Sequence, residues 1–396
     1  MTYISLYLLT VVIILSHSTS TLNAFTPYIL SNNNKSTVGG HLYMSSTTEK
    51  TNTDTDNDNT QCGEEQCEVL LLDHLNINHE KGRHDALKAF YFDFLGMAID
   101  PRKYENYESG KKTLWANIGM HQFHLPEGKP DAQVFNGLIT LVYDNLDVLM
   151  NRYKAYLDGD EKYSALKETE FLVGRVDNMM LVTDPWGSQF CILKSDNAVE
   201  DRAAGVGAQP VVDKPSEGLC LEDLTVYIEH GANLDGIGRF YEKVLGAPTI
   251  KELSSDQSIS IAMGERQTLT FQYHPDGELA KDIEHHDFSY DDDKDEDLSL
   301  PAYPSNHGPH ISLYVTNLSK AYQMAEELGV LYVNPRFSRR ANTEEEAIDQ
   351  CMFRLIQIVD PLDEEKKVIL NLEHEVRSCI TKDGTKYKSC PLINLP

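Results

Sequence analysis

One stretch of the chain occurs twice. Leu70 to Gly96 reads LLLDHLNINHEKGRHDALKAFYFDFLG, and Leu221 to Gly246 reads LEDLTVYIEHGANLDGIGRFYEKVLG. In each copy a strand-like run passes through a Gly-containing loop into a helix ending Phe-Tyr-x-x-x-Leu-Gly. Phe90 corresponds to Phe240 and Gly96 to Gly246, a spacing of 150 residues (246 − 96). An internal repeat of this kind restricts the fold to an arrangement of similar supersecondary units.

Each copy opens a longer pattern. Short runs rich in β-branched and aromatic residues predict strands, and longer periodic runs predict helices. The first unit has a strand at 69–78, a helix near 85–95 and strands near 113–118 and 121–125, with one strand not clearly placed. The second has a strand at 138–143, a helix at 146–157 and strands at 170–173, 179–183 and 189–193, giving the order β-α-β-β-β. The third has strands at 221–228, 258–262 and 268–273, with a helix running through Tyr241. The fourth has strands at 310–315, 351–358 and 367–373, with a helix at 318–328. HISLYVTNL at 310–318 matches LITLVYDNL at 138–146, an offset of 172, so the offset has grown by 22 (172 − 150). The region between contains an acidic segment, 280–304, with the run DDDKDED, which reads as a solvated insertion that includes the pair His285-His286.

The front of the chain reads as an address. Residues 6–15, LYLLTVVIIL, are too short to span a bilayer and suit the apolar region of a signal peptide, with Ala24 as the cleavage residue. Residues 25–50 are rich in Ser, Thr and Asn and lack acidic residues until Glu49, a transit-peptide composition. With Asn23-Ala24-Phe25-Thr26-Pro27 at the junction, the segment resembles the bipartite plastid presequence of diatoms and related algae. That resemblance implies a plastid stromal protein; simple secretion is the alternative. Residues 51–67 read as a disordered linker. The seven cysteines are scattered and odd in number, without a Cys-x-x-Cys pair, which predicts free thiols in a reducing compartment.

A net charge of −27 over 396 residues argues against a nucleic-acid partner, because phosphate neutralisation needs Lys and Arg. No segment of the mature chain reads as an integral membrane span, and no P-loop, dinucleotide fingerprint or nucleophile elbow is present. The expected partner is a small-molecule substrate or ligand.

Paired β-α-β-β-β units, with Asp184-Pro185-Trp186-Gly187 turning into a last strand, resemble the vicinal-oxygen-chelate superfamily. Its members include glyoxalase I, fosfomycin-resistance enzymes, extradiol dioxygenases and bleomycin-binding proteins. The resemblance implies an α+β fold with two tandem domains, 68–195 and 219–378. Each would consist of two paired βαβββ units forming a curled mixed sheet around a cleft. Residues 196–218 would be a linker and 379–396 a C-terminal tail. In this superfamily a divalent ion is held by His, Gln or Glu on the first strand of each unit and on a last strand.

Carried onto this chain, the pattern implies His74 and His124 as metal ligands in the first domain, with Cys191 where the family usually has Glu and Leu138 where it has a ligand. Alternation puts Gln122 and His124 on one strand face and His121 and Phe123 on the other. In the second domain it implies Asp223, His310 and Glu373, a set suited to Fe²⁺, Mn²⁺ or Mg²⁺, whereas the first would suit Zn²⁺ or Ni²⁺. The alternatives are buried, hydrogen-bonded histidines in metal-free clefts, and a surface or inter-domain salt network of Glu373, His374, Glu375 and Arg377. Three functions follow: a metal-dependent glyoxalase I-like lyase or isomerase, an extradiol-type dioxygenase, or a non-catalytic binding module.

Overall fold

A computed structural model describes residues 66–110, 113–128, 131–195, 215–277, 283–288 and 307–392. The presequence, most of both linkers and most of the acidic insertion lie outside the described residues.

The four units form as the repeat predicts. Unit one comprises β1 (Val69–Asn76), helix α1 (His84–Leu87, continuing in π form through Lys88–Phe94), β2 (Ala98–Ile99), β3 (Leu114–Ile118) and β4 (His121–Leu125). The strand that the sequence leaves unplaced is thus only two residues long. Unit two comprises β5 (Gly137–Tyr143), α2 (Leu146–Leu157), β6 (Leu172–Val176), β7 (Met179–Thr183) and β8 (Gln189–Lys194). Unit three has β9 (Gly218–Ile228), α3 (Leu234–Leu245), β10 (Ser258–Ala262) and β11 (Thr268–Tyr273). Unit four has β12 (His310–Val315), α4 (Leu318–Leu328), β13 (Leu331–Tyr332), β14 (Met352–Val359) and β15 (Val368–Ser378).

Local sequence explains the repeated helices. In α3, Ile237, Phe240, Tyr241, Val244 and Leu245 are buried at i, i+3, i+4, i+7 and i+8, an apolar stripe facing the sheet. Asn233 caps its start by accepting from Gly236 N at 2.9 Å. Gly246 ends it at φ +63°, and Gly96 ends α1 at φ +68°, left-handed backbone that glycine adopts without a Cβ clash. Phe90 and Phe240 are fully buried; each such ring stabilises the fold by about 1.5–3 kcal/mol.

The units pair into two mixed, antiparallel-joined sheets, giving the expected α+β class. One sheet has the order β13-β14-β15-β12-β1-β4-β3-β2 and the other β10-β11-β9-β5-β8-β7-β6. Pairing therefore crosses the two halves of the sequence. β1 joins β12 antiparallel with Leu75 opposite Ile311, so unit one pairs with unit four. β5 joins β9 with Ile139 opposite Leu224, so unit two pairs with unit three. The expected grouping of each half into its own sheet does not describe this arrangement.

Among the described residues from Gln66 onward, one continuous core runs through both sheets. Gln267 stitches the sheets together: its Oε1 accepts from Leu72 N, and its Nε2 donates to Leu72 O and Leu221 O, each at 3.1 Å. No helix among the described residues is long and apolar enough to cross a membrane. All six described cysteines are free thiols.

Candidate metal centre

The crossed pairing decides which side chains meet. Residues opposite one another in a sheet share a face. β1 sets His74 beside Gln122 and Asn76 beside His124 on β4. β12 sets His310 beside Glu373 and Ser312 beside Glu375 on β15, and β14 sets Arg354 beside Glu375. The alternate residues Leu75, Phe123, Ile311 and Val376 enter the core. His74, His124, His310 and Glu373, which the sequence assigns to two clefts, therefore lie on the face of one sheet.

At its centre the side chains of His74, His310 and Glu375 converge, with one candidate ligand atom from each lying within 4.8 Å of the other two. All three are buried. The His74 Nδ1–H donates to Asp73 Oδ2 at 2.7 Å, which fixes the tautomer that leaves Nε2 as the coordinating nitrogen. Glu375 Oε2 lies 3.8 Å from His310 Nε2. Burial alone would raise the Glu375 carboxyl, but Arg377 and Arg354 outweigh it and hold it well below the usual carboxylate range. Burial, reinforced by Arg354, pushes the His310 imidazole down to about 3, so it is neutral and able to ligate near neutral pH.

Such a set fits a divalent ion. Its donors are two imidazoles and one carboxylate, with the carboxylate and one imidazole oriented by outer hydrogen bonds of the kind seen around metal ligands. Glu375 bonds Arg354 through Oε2 and Arg377 through Oε1. Of the salt network expected as an alternative, Glu375 and Arg377 do pair, but in a buried site, while His374 lies outside it, bonded to Tyr241 and Leu372 O.

The other predicted residues fall elsewhere. Glu373 is held by Arg354 Nη1 at 2.6 Å and Asn334 Nδ2 at 3.0 Å, so Glu375 is the carboxylate that meets the two histidines. His124 stacks on His74 with ring centroids 3.6 Å apart and on Trp115 at 4.4 Å. Its Nε2–H donates to Gln122 Oε1 at 2.7 Å, while Gln122 Nε2 donates to Asp100 Oδ2 at 2.8 Å and to Asn117. His121 points away, accepting from Leu221 N at 3.0 Å, as alternation predicts.

The expectation that Asp223 joins His310 is corrected. Asp223 belongs to the second sheet, where the hydroxyls of Thr225, Thr268 and Thr270 donate to its carboxylate at 2.5–2.8 Å. Burial raises that carboxyl despite the three donors. Cys191 lies in the same sheet, opposite Thr140, and burial pushes its thiol up to about 12, far from the thiolate a metal needs. It cannot join His74 and His124.

His285 and His286 are not solvated. His285 Nε2 donates to Tyr227 O at 2.9 Å, and His286 Nε2 accepts from Glu373 N at 3.0 Å, bracing the strand that carries Glu375. His79 and His84 meet edge to face at 5.6 Å, and neither lines the cleft.

Over the site lies a cleft of about 1190 Å³. Its lining includes Lys386 to Cys390 from the segment the sequence leaves as a tail. That segment turns back at a bridge between Ile380 and Lys386. Tyr387 N donates to Cys379 O at 2.8 Å and Cys390 N to Tyr387 O at 2.9 Å. Cys379, Tyr387 and Cys390 bury against Leu71, Met120, Tyr314 and Cys351. Sequence reasoning missed this wall and Arg354, and named Glu375 only as part of a salt network, not as a ligand. The one available signal was the alternation Glu373-x-Glu375-x-Arg377, which places three charges on one strand face.

No family model matches the sequence, and no curated protein matches it either. Among solved structures, glyoxalase I from Zea mays aligns at 13% identity over 79% of this chain and 92% of its own, with a TM-score of 0.41. A putative dioxygenase from Bacillus subtilis aligns at 11% identity over 78% and 86%, with a TM-score of 0.41. The cppA protein of Streptococcus pneumoniae aligns at 11% identity over 79% and 100%, with a TM-score of 0.37. At these scores the strand order given above, not the alignments, defines the fold.

Proposed function

We propose that this protein is a metal-dependent enzyme of the vicinal-oxygen-chelate type. His74, His310 and Glu375 would hold a divalent ion, and a small substrate would bind through two neighbouring oxygens. The observation that carries this reading is the convergence of two imidazoles and one carboxylate from three strands of one sheet. A bound ion would supply Lewis-acid stabilisation of negative charge on the substrate oxygens.

The chain's own residues supply the rest. Asp73 keeps His74 in the ligating tautomer. Arg354 and Arg377 keep Glu375 ionised. His124, sandwiched between His74 and Trp115 on the cleft wall, is the imidazole positioned to exchange a proton with substrate. Phe337 and Trp115 give the cleft apolar walls that exclude water.

The ligand count favours an extradiol-type ring-cleaving reaction, because two histidines and one carboxylate with open positions suit Fe²⁺ and oxygen chemistry. A glyoxalase I-like lyase or isomerase is the second reading. It is supported by Gln122, which stands in register with His74 and would add a fourth ligand if its amide oxygen exchanged His124 for metal. Protein reconstituted separately with Fe²⁺ and with Zn²⁺ or Ni²⁺ separates them. Catechol cleavage by the iron form selects the dioxygenase, and hemithioacetal turnover by the zinc or nickel form selects the lyase. Turnover of neither class of substrate by any metal form would sink the enzyme reading.

Delivery to a plastid is part of the same proposal, on the composition of residues 1–50. A fluorescent fusion to residues 1–65 should enter the plastid in an algal cell. Export to the medium would select secretion instead.

A further inference from the structure

The segment that walls the cleft folds back on a pair of cysteines. It leaves β15 after Ser378 and makes a tight turn in which Thr381 N donates to Thr385 O at 2.8 Å. It returns antiparallel at the bridge between Ile380 and Lys386. The bonds from Tyr387 N to Cys379 O and from Cys390 N to Tyr387 O then bring Cys390 back to Cys379, eleven residues earlier (390 − 379). Cys379 is 4% exposed and Cys390 1%, and both lie in the apolar bed that includes Leu71, Met120 and Tyr314.

In that bed the two thiols hydrogen-bond one another. The bond raises Cys379 and lowers Cys390, so Cys379 donates its S–H and Cys390 is the more acidic sulfur. At Cys67, Cys191 and Cys220 the leading influence is instead burial, which pushes each thiol up and leaves it a poor nucleophile. The surroundings of the pair suit its oxidised form, because a disulfide is apolar and has no S–H donor to satisfy. Access comes from the cleft, which Cys390 borders.

We propose that Cys379 and Cys390 form a redox-modification site: a low-molecular-weight disulfide of the glutathione class enters the cleft and converts the pair to a disulfide that latches the cleft wall to the end of β15. The Cys390 thiolate attacks one sulfur of the oxidant and breaks its S–S bond, which releases one thiolate and leaves a mixed disulfide on Cys390. Cys379 gives up its proton and attacks the Cys390 sulfur, which releases the second thiolate. The released thiolates take up the two S–H protons. The pair thus loses two electrons and two protons, and the oxidant becomes two thiols. The new bond closes a loop of twelve residues, 379–390, so the wall opens less often while keeping the backbone bonds it already makes. The metal centre takes no part in this step.

The test is incubation of the full chain with excess oxidised over reduced glutathione, with a chelator present, followed by alkylation and tryptic mapping. Cleavage after Arg377, Lys382 and Lys388 yields peptides 378–382 and 389–396. They should appear cross-linked, lighter than their sum by two hydrogens, and should separate on reduction. Cys351, buried in the same bed, is the internal control: Cys351→Ser should still form the cross-link, and Cys390→Ser should not. Hydrogen–deuterium exchange of the Tyr387 and Cys390 amides should slow by roughly tenfold or more on oxidation of the wild type. In Cys379→Ser the same treatment should leave it unchanged. Absence of the cross-link at every glutathione ratio, a bond from Cys351 in its place, or equal exchange before and after cross-linking would overturn the proposal.

Discussion

Replacing Arg354 with Met tests the floor of the cleft at its most connected point. Arg354 is 6% exposed and bridges Glu373, 1% exposed, and Glu375, 7% exposed. Its loss strands two carboxylates in a buried site, and breaking a buried pair costs about 3–5 kcal/mol. Glu375 keeps Arg377 and Glu373 keeps Asn334, so the expected loss sits at the lower end, about 3 kcal/mol. The pH dependence has a definite sign. Glu375 is depressed in the folded protein, so it contributes stability that is present above its unfolded pKa and lost as pH falls through the lower folded value. Removing Arg354 shrinks that depression. The deficit should therefore be largest at pH 7 and narrow only as pH falls through the variant's folded pKa towards the lower wild-type one.

Urea unfolding of wild type and variant at pH 7 and in steps down to about pH 2, below the usual carboxylate range, measures both quantities. Repeating it with Zn²⁺ or Mn²⁺ adds a second readout. Arg354 competes with a cation for Glu375, so the variant should gain more stability from the ion than wild type does. Saturation at a hundred times Kd is worth about 2.7 kcal/mol. A deficit below about 1 kcal/mol at pH 7, or one that does not narrow at the lowest pH, would refute the buried-pair argument. Equal stabilisation of both proteins by metal would refute the competition.

Three further outcomes follow from the geometry. Tyr241→Phe removes the hydroxyl that donates to His374 Nε2 at 2.6 Å and should cost about 1–3 kcal/mol in denaturant melts, because the imidazole acceptor stays buried. Gly246→Ala should destabilise far more than Gly96→Ala. Both are in left-handed backbone, but a Cβ at Gly246 would come within 1.6 Å of Cys67 O, whereas at Gly96 it meets the movable ends of Arg152 and Glu217; comparable melting temperatures would contradict this. Asp223→Asn should flatten the pH dependence of stability. The carboxyl is raised in the folded state, so the stability linked to it is full below the unfolded pKa and lost as pH rises through the folded one. The variant's metal content should match wild type.

Much of the fold was legible because it is local. The repeated Phe-Tyr-x-x-x-Leu-Gly helices, the buried strands LITLVY and HISLYV and the β-α-β-β-β order all follow from periodicity and glycine placement within one unit. Which units pair did not follow. First strands β1, β5, β9 and β12 each offer a similar apolar edge, and hydrophobic patterning is satisfied by either partner. The ligand positions held the missing signal. His74 and His310 are first-strand histidines in units one and four, while units two and three carry Leu138 and Asp223 there. Grouping the histidine-bearing units would have joined both into one site. Glu373 was favoured over Glu375 because a two-residue slip along a strand keeps the same face, so alternation cannot separate them. The C-terminal wall was illegible because its placement depends on burial of Cys379, Tyr387 and Cys390 against residues from distant strands.

Elemental analysis of the full chain, purified under metal-replete conditions, tests the central claim most directly. The account predicts about one divalent ion per chain, as expected for a three-ligand site with open positions. That ion should be lost in both His74→Ala and His310→Ala and retained in Asp223→Ala. Stoichiometric metal absent from the wild type, or retained in both histidine variants, would contradict it.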